Sequence, residues 1–190
     1  AVEVDDGVVF DLKGLKIEAI REAVEYGGSR LRTTAALAGA RIPITVDIGF
    51  GDAVAPAVED IDLPVLLDMP SPHLRAYPPE TVIAENLHAM VALGRANSRM
   101  KDFFDLWVLL HDTTLDDAEL QRAVEGTFAR RQTAMPSNQP IGLSDVFADD
   151  ATKQLQWRAF LKKNKLEPMD LSDVVRTIRE RALQFGFAGT

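Results

Sequence analysis

The densest group of chemically useful side chains lies between residues 97 and 107. If this stretch is helical, Lys101 and Asp105 are one turn apart, and Asp102 and Asp105 share a surface. The opposite surface carries an apolar stripe of Met100, Phe103, Phe104 and Trp107. Two interpretations fit the spacing. Either this is the solvated ion-pair face of an amphipathic helix, or it is a polar face in a cleft, where cations hold phosphates and a carboxylate orients them.

A second candidate is Asp47, which lies in the middle of a segment that alternates apolar and polar residues and is therefore predicted to be a β-strand. Asp is uncommon in strands. Its carboxylate is either a solvent-facing group or a ligand of Mg²⁺, which prefers oxygen donors. The histidines His73, His88 and His111 show no metal-binding spacing, so a histidine metal site is not expected.

The elements that must position these residues change character along the chain. Residues 1–52 are predicted to be β-rich, with a hairpin around the Asp5-Asp6-Gly7 turn and one helix over residues 15–26. Two further strands, over residues 29–38 and 41–50, flank a tight turn at Gly39-Ala40. Ile42, Ile44, Val46 and Ile48 are predicted to form a buried strand face, and Pro43 favours an edge or bulge position.

The rest of the chain is predicted to be a connector followed by helices. Residues 53–79 hold six of the ten prolines, with one short strand over residues 65–67. Helices are predicted over residues 80–93, 98–111, 114–131, 150–163 and 170–185, with Thr114 and Asp117 in capping positions. The predicted fold class is α+β: a small mixed or antiparallel sheet followed by a C-terminal helical bundle, with domains at 1–79 and 80–190.

Composition limits the classes of function. The 190 residues carry 29 acids and 21 bases, a net charge of −8, which argues against a generic nucleic-acid coat protein because phosphate binding depends on clustered Lys and Arg. No cysteine is present, which excludes disulfide frameworks and cysteine–zinc sites. The uncharged stretches are too short for a membrane span. We therefore expect a soluble, cytoplasmic protein without membrane contact.

Three stretches of the sequence occur in an order and spacing that resemble a known family. They are residues 46–52, 77–89 and 97–106, which read VDIGFGD, YPPETVIAENLHA and NSRMKDFFDL. Together they are similar to the AbiEii-type nucleotidyltransferase toxins of type IV toxin–antitoxin and phage-defence systems. The similarity is dense over residues 45–110.

The resemblance implies a polymerase-β-like nucleotidyltransferase fold that transfers a nucleoside monophosphate from NTP to an RNA acceptor, which is tRNA for related toxins. It implies that Asp47 is a metal-binding carboxylate of the family's Mg²⁺ site and has a catalytic role. It also implies that Arg99 and Lys101 bind the nucleotide, and that Asp102 or Asp105 is the functional acid of their helix. A cognate antitoxin is the implied protein partner.

Two departures from the family pattern predict a catalytically incomplete portion of such an enzyme. The family's first motif, a Gly-Ser or Gly-Thr turn followed by Asp-x-Asp, would lie upstream of residue 1. Gly27-Gly28-Ser29 resembles its beginning, but residues 37–42 hold no acid. The family's Ala-Glu-Lys-Leu reads Ala-Glu-Asn-Leu here, so Asn86 keeps a hydrogen-bond donor at this nucleotide-binding position but lacks the positive charge.

An alternative function is a non-catalytic binding module of the same descent that engages an antitoxin or another partner. A sheet without its upstream strands would present an unpaired edge, which is a template for further strand pairing. We therefore also expect self-association into a homo-oligomer through that edge.

Overall fold

The structure, a computed structural model, describes residues 6–20, 28–50, 54, 56–112, 114–185 and 187. The chain divides into two compact units, residues 1–52 and residues 53–190. The expected domain boundary at residue 79 stays a prediction. None of the described helices has the length and apolar character needed to cross a membrane.

The first unit contains an antiparallel sheet built around one long central strand. Its strands are β1 (Val9–Phe10), β2 (Lys16–Ile20), β3 (Gly28–Leu37) and β4 (Ala40–Gly49). β4 pairs with β3 along its full length, whereas β2 and β1 pair with opposite ends of β3 on its other side. The β3–β4 connection is a two-residue turn at Ala38 and Gly39, both with positive φ, which matches the twist of a hairpin.

The helix predicted over residues 15–26 is wrong where the chain is described. Residues 16–20 form β2, with Ile17 opposite Leu31 of β3, and residues 21–27 lie outside the described part. Five residues with apolar side chains three apart fit a helix or a strand equally, and pairing with β3 decides between them. The first strand of the hairpin expected around residues 5–7 also lies outside the described residues.

The predicted strands 29–38 and 41–50 are confirmed to within a residue or two, but the predicted buried face of the second is wrong. Ile42 and Ile48 are each 39% exposed and Val46 is 48% exposed. The described elements of the first unit are all strands of this one sheet, so they supply no second layer against which this face could pack. Of the edge and bulge positions expected for Pro43, the edge position is observed, because β4 pairs only with β3 among the described strands.

The second unit begins with a hairpin of β5 (Glu59–Asp62) and β6 (His73–Ala76). The strand predicted over residues 65–67 is wrong. These residues lie in the loop between β5 and β6, where Leu66 and Leu67 are strongly exposed. A three-residue apolar run forms a strand only when a partner strand lies alongside it, and here β5 and β6 pair with each other.

Six helices follow in the described residues. They are α1 (Pro79–Leu93), α2 (Met100–Asp112), α3 (Asp117–Arg130), α4 (Asp145–Ala148), α5 (Ala151–Asn164) and α6 (Leu171–Leu183). The five predicted helices are confirmed with small shifts of their ends, and α4 was not predicted. The expected capping of α3 by Thr114 and Asp117 is wrong, because the side chain of Asp116 accepts the hydrogen bond of Glu119 N–H at 2.9 Å.

The core of the second unit consists of apolar side chains at helical spacing from these helices. Its largest fully buried aromatic side chains are Trp157, Phe103, Phe128, Phe147 and Phe187. Met90 is also buried, and Phe104, Trp107 and Phe160 pack against this core. The Trp157 indole N–H donates to the Met169 carbonyl at 2.8 Å, so its polar group is satisfied inside the core. The predicted α+β class with a helical C-terminal half is confirmed.

Candidate functional site

The candidate site begins at the loop that leads into α2. α1 ends at Leu93, and Gly94, which has a φ of 48°, begins one turn of 3₁₀ helix over residues 94–96. Asn97 follows, and its side-chain oxygen accepts the Arg99 N–H at 2.9 Å. This local turn supplies an acceptor where the chain enters the helix, and so it fixes the direction in which α2 starts.

Helix α2 is amphipathic: its apolar residues recur every three to four positions and so lie on one face of the helix. Met100, Phe103 and Leu106 are at most 4% exposed, which anchors one face of the helix in the core. Arg99 and Lys101 are exposed at the start of α2. Because the buried stripe cannot rotate without exposing aromatic surface, it fixes the side on which these cations stand.

The two acids of α2 have different surroundings. Asp105 forms an ion pair with Lys101, one turn earlier on the same helix. Asp102 is partly buried, and this burial raises the pKa of its carboxyl, an effect that the positive charge of Arg99 opposes and the negative charge of Asp105 reinforces. The structure thus brings four predicted site residues together: Arg99, Lys101, Asp102 and Asp105.

A cleft between α1 and α2 adjoins this group. Its volume is about 280 Å³, and its lining is apolar apart from Asp105: Val82, Phe104, Val108 and Leu109. Asn86 is half-buried on α1, four residues after Val82 and therefore on the same side of that helix. The cleft combines an apolar wall with a charged residue, which is the usual composition of a small-molecule site.

Asp47 lies in the first unit, on β4, where it stands opposite Arg30 of β3. Both of its carboxylate oxygens accept from that guanidinium, Oδ1 from Nε at 2.6 Å and Oδ2 from Nη2 at 2.7 Å. This bidentate hydrogen bonding lowers the pKa of Asp47. Its carboxylate is therefore an ionised group whose two oxygens are both engaged by a side chain of the same sheet.

The sequence was compared with models of known protein families, and one family model matches most of the chain. The model of the nucleotidyl transferase AbiEii toxin, type IV toxin–antitoxin system, matches residues 1–181 of the 190. The chain belongs to the AbiEii family. Neither the curated proteins nor the solved structures give a significant match. Membership supports a nucleotidyltransferase-like toxin, and the family's type IV system suggests an antitoxin partner and NTP substrates.

Nucleotidyltransferases of such families generally use Mg²⁺. Hard dications bind clustered oxygen ligands. Within the described ranges, no three His, Cys, Asp or Glu side chains lie close enough together to hold a metal ion. The oxygens of Asp47 are engaged by Arg30, and Asp105 is paired with Lys101. Taken by itself, neither unit of this AbiEii protein gathers a ligand set that fits a magnesium centre among its described residues.

Sequence reasoning missed two residues beneath this site, Asn97 and Lys153. Nothing in the stretch of residues 97–106 marks the Asn97 side chain as the acceptor that turns the chain into α2. Lys153 lies on α5 at the start of the buried series 153, 157 and 161. A lysine that continues a helical series of apolar positions is the one signal in the sequence that could have indicated a buried cation.

The burial of Asp102 predicts a pH-dependent stability difference in Asp102→Asn. The folded protein binds this proton more tightly than the unfolded chain, so the charge lowers stability above the folded-state pKa. That loss disappears as the pH falls below the unfolded value of about 3.9. We expect the variant to melt about 1–3 °C higher than wild type at pH 7 and nearly equally at about pH 3.5, measured by circular dichroism.

Glu167→Gln serves as the control, because Glu167 is an exposed acid outside the helices. Its melting temperature should follow that of wild type at both pH values. A lower melting temperature of Asp102→Asn at pH 7 would contradict the assignment of a desolvated carboxylate.

Proposed function

We propose that this AbiEii protein acts in the transfer of a nucleoside monophosphate from NTP to an RNA acceptor, with tRNA as the first acceptor to test. In this proposal the cations at the start of α2, Arg99 and Lys101, contact the triphosphate. Asp105 orients Lys101, and Asp102 is the functional acid. Asn86 donates a hydrogen bond to the nucleotide from α1.

The observation that carries the proposal is the charged group at the start of α2 beside an apolar cleft. A nucleoside triphosphate has a polyanionic end and a flat, largely apolar base, so its site needs cations next to an apolar wall. Lys101 and Arg99 supply positive charge, and the cleft beside Asp105 supplies the wall. Phosphoryl and nucleotidyl transfer depend chiefly on such positioning and charge neutralisation.

The proposal assigns nucleotide contacts to these residues and not a complete catalytic centre. A complete centre is not proposed, because the described residues contain no group of three His, Cys, Asp or Glu side chains that could hold a metal ion. Asp47, the expected metal ligand, is hydrogen-bonded to Arg30 through both carboxylate oxygens. Nucleotide binding is accordingly the first property to measure, and RNA labelling the second.

Removing the Lys101 charge should weaken nucleotide binding. We expect Lys101→Met to raise the Kd for NTP by about tenfold, because a cation that neutralises phosphate contributes on the order of 1–2 kcal/mol. The measurement is isothermal titration of the full chain with ATP, GTP, CTP and UTP separately, in the presence of MgCl₂.

The matched control is Lys162→Met, which removes an exposed lysine from the last turn of α5. It should leave the Kd unchanged. Equal affinities of Lys101→Met and wild type, or no nucleotide binding by wild type, would overturn the proposed function.

The second candidate function is a non-catalytic binding module, and the Arg30–Asp47 pair favours it. A carboxylate whose two oxygens both accept hydrogen bonds from one arginine links the side chains of β3 and β4, which is a structural role. In this case we expect Asp47→Ala to leave binding of an antitoxin partner unchanged in a pull-down, because Asp47 would be no part of that interface. A catalytic metal role predicts instead that Asp47→Ala abolishes transfer of label from NTP to RNA while nucleotide binding persists.

We also propose a role in phage defence and action in the cytoplasm.

Self-association through β4 is a further part of the proposal. β4 is ten residues long and pairs on one side only among the described strands. Such an edge exposes free backbone donors and acceptors. We expect light scattering of the full chain to give a mass above that of the 20.9 kDa monomer. A strictly monomeric species would contradict this.

A further inference from the structure

Lys153 is a buried cation in the second unit. Only 7% of its surface is exposed, and it shares the inward face of α5 with Trp157 and Leu161. A buried ammonium group loses its hydration, so it is retained only where the protein supplies partners for it. The partners of Lys153 therefore indicate what it holds.

Those partners belong to the segments around the start of α2. The Lys153 ammonium donates to the backbone carbonyl of Asn97 at 2.7 Å and lies 5.1 Å from the centre of the Phe147 ring. Phe147 in turn stacks on Phe103 of α2, with ring centroids 5.2 Å apart. One side chain of α5 thus contacts the loop before α2 and an aromatic ring that packs on α2.

A second link joins the same two segments. Arg95, two residues before Asn97, lies 3.6 Å from the carboxylate of Asp150, which caps the start of α5. The loop that leads into α2 is therefore held to the first turn of α5 by a surface ion pair and by a buried hydrogen bond. The buried one carries more weight, since water screens the other.

Asn97 is costly at this position. It is 0% exposed, its Oδ1 accepts from Arg99 N–H, and its Nδ2 has no hydrogen-bond partner among the described residues. A buried donor without a partner destabilises a fold. Ser or Asp would give the same turn without that donor. The backbone carbonyl of the same residue accepts the hydrogen bond of the Lys153 ammonium, which links the two buried residues directly.

We infer that Asn97 and Lys153 are positioning residues of the nucleotide site, which together fix where α2 begins and so where Arg99, Lys101 and Asp102 stand. This inference rests on the proposed function. Neither residue contacts the nucleotide. Lys153 holds the Asn97 carbonyl, Asn97 holds the Arg99 amide, and the direction of the first turn of α2 follows.

The experiment uses the full chain and whichever of the four nucleoside triphosphates binds wild type most tightly, with MgCl₂. Lys153→Met keeps the length of the side chain and its contact with Phe147 but removes the donor. We expect it to raise the Kd about tenfold, since small misplacements of binding groups have large effects. Asn97→Ala should have a similar effect, and Asn97→Asp, which keeps the acceptor for Arg99 N–H, should restore most of the affinity.

The readouts separate positioning from mere loss of folding. An irreversibly unfolded fraction lowers the number of binding sites per chain, and a reversibly unfolded fraction raises the Kd together with a loss of helical circular-dichroism signal. Misplacement of α2 raises the Kd with the number of sites and the helical signal unchanged. The double variant Asn97→Ala/Lys153→Met should bind no more weakly than the weaker single variant, because both act through one loop. Hydrogen exchange of the Arg99 amide should quicken in both single variants, while exchange in α6 stays as in wild type. The control is Lys162→Met, on the exposed side of α5.

The outcomes distinguish this inference from the proposed function. If Lys101→Met weakens binding but Lys153→Met and Asn97→Ala leave the Kd and the Arg99 exchange rate unchanged, only this inference is overturned. Full additivity of the two substitutions would also overturn it. If wild type binds none of the four nucleotides, the proposed function and this inference fall together.

Discussion

The burial of one face of α2 is the constraint on which the second unit depends. Met100, Phe103 and Leu106 insert into the core, where Phe103 stacks on Phe147. These contacts hold the helix in a single orientation about its own axis. The charged side chains at its start are held in place as a result. Burial of apolar side chains of this size contributes about 1.5–3 kcal/mol each, far more than a surface ion pair such as Lys101–Asp105. Packing thus sets the rotation of α2, and the surface pair Lys101–Asp105 adds little to it.

The same residue type has opposite electrostatic behaviour in the two units. Asp47 is exposed, and a bidentate hydrogen bond from the Arg30 guanidinium lowers its pKa. Asp102 is partly buried, and this burial raises its pKa. The difference comes from surroundings that are distant in sequence. Arg30 reaches Asp47 because the β3–β4 turn sets the register that places them opposite each other. An ionised and engaged carboxylate is suited to holding a sheet, and a desolvated one to exchanging a proton or binding a polar group.

The sequence predicted the helical half of the protein well because its apolar residues recur at helical spacing over long segments. The Met100–Trp107 stripe gave both the existence of α2 and its buried face. It predicted residues 16–20 wrongly because a short segment carries too few periods to decide, and pairing with β3 then overrides local preference. It also predicted a buried face for β4, since alternation shows that a strand has two different faces but not that something covers one of them.

The candidate site was predictable only in part for a similar reason. Four of its residues lie within seven positions of the chain, where helical geometry alone brings them together. Asp47 belongs to the other unit, and its pairing with Arg30 depends on strand register, which the alternating pattern leaves open. Lys153 lies 56 positions from Asn97, so their contact depends on how α5 packs, and no local pattern contains that information.

The turn between β3 and β4 has a consequence for how quickly the first unit can assemble. The ten pairs of this ladder are stacked outward from Ala38 and Gly39, so each new pair closes a loop only slightly longer than the last. Hairpins of this kind form in about 1–10 μs, faster than pairings that require distant parts of the chain to meet. Once formed, the hairpin offers the free side of β3 as a template onto which β2 and β1 can add. The sheet therefore has a natural order of assembly, from the turn outward and then across to the strands that precede it in the chain.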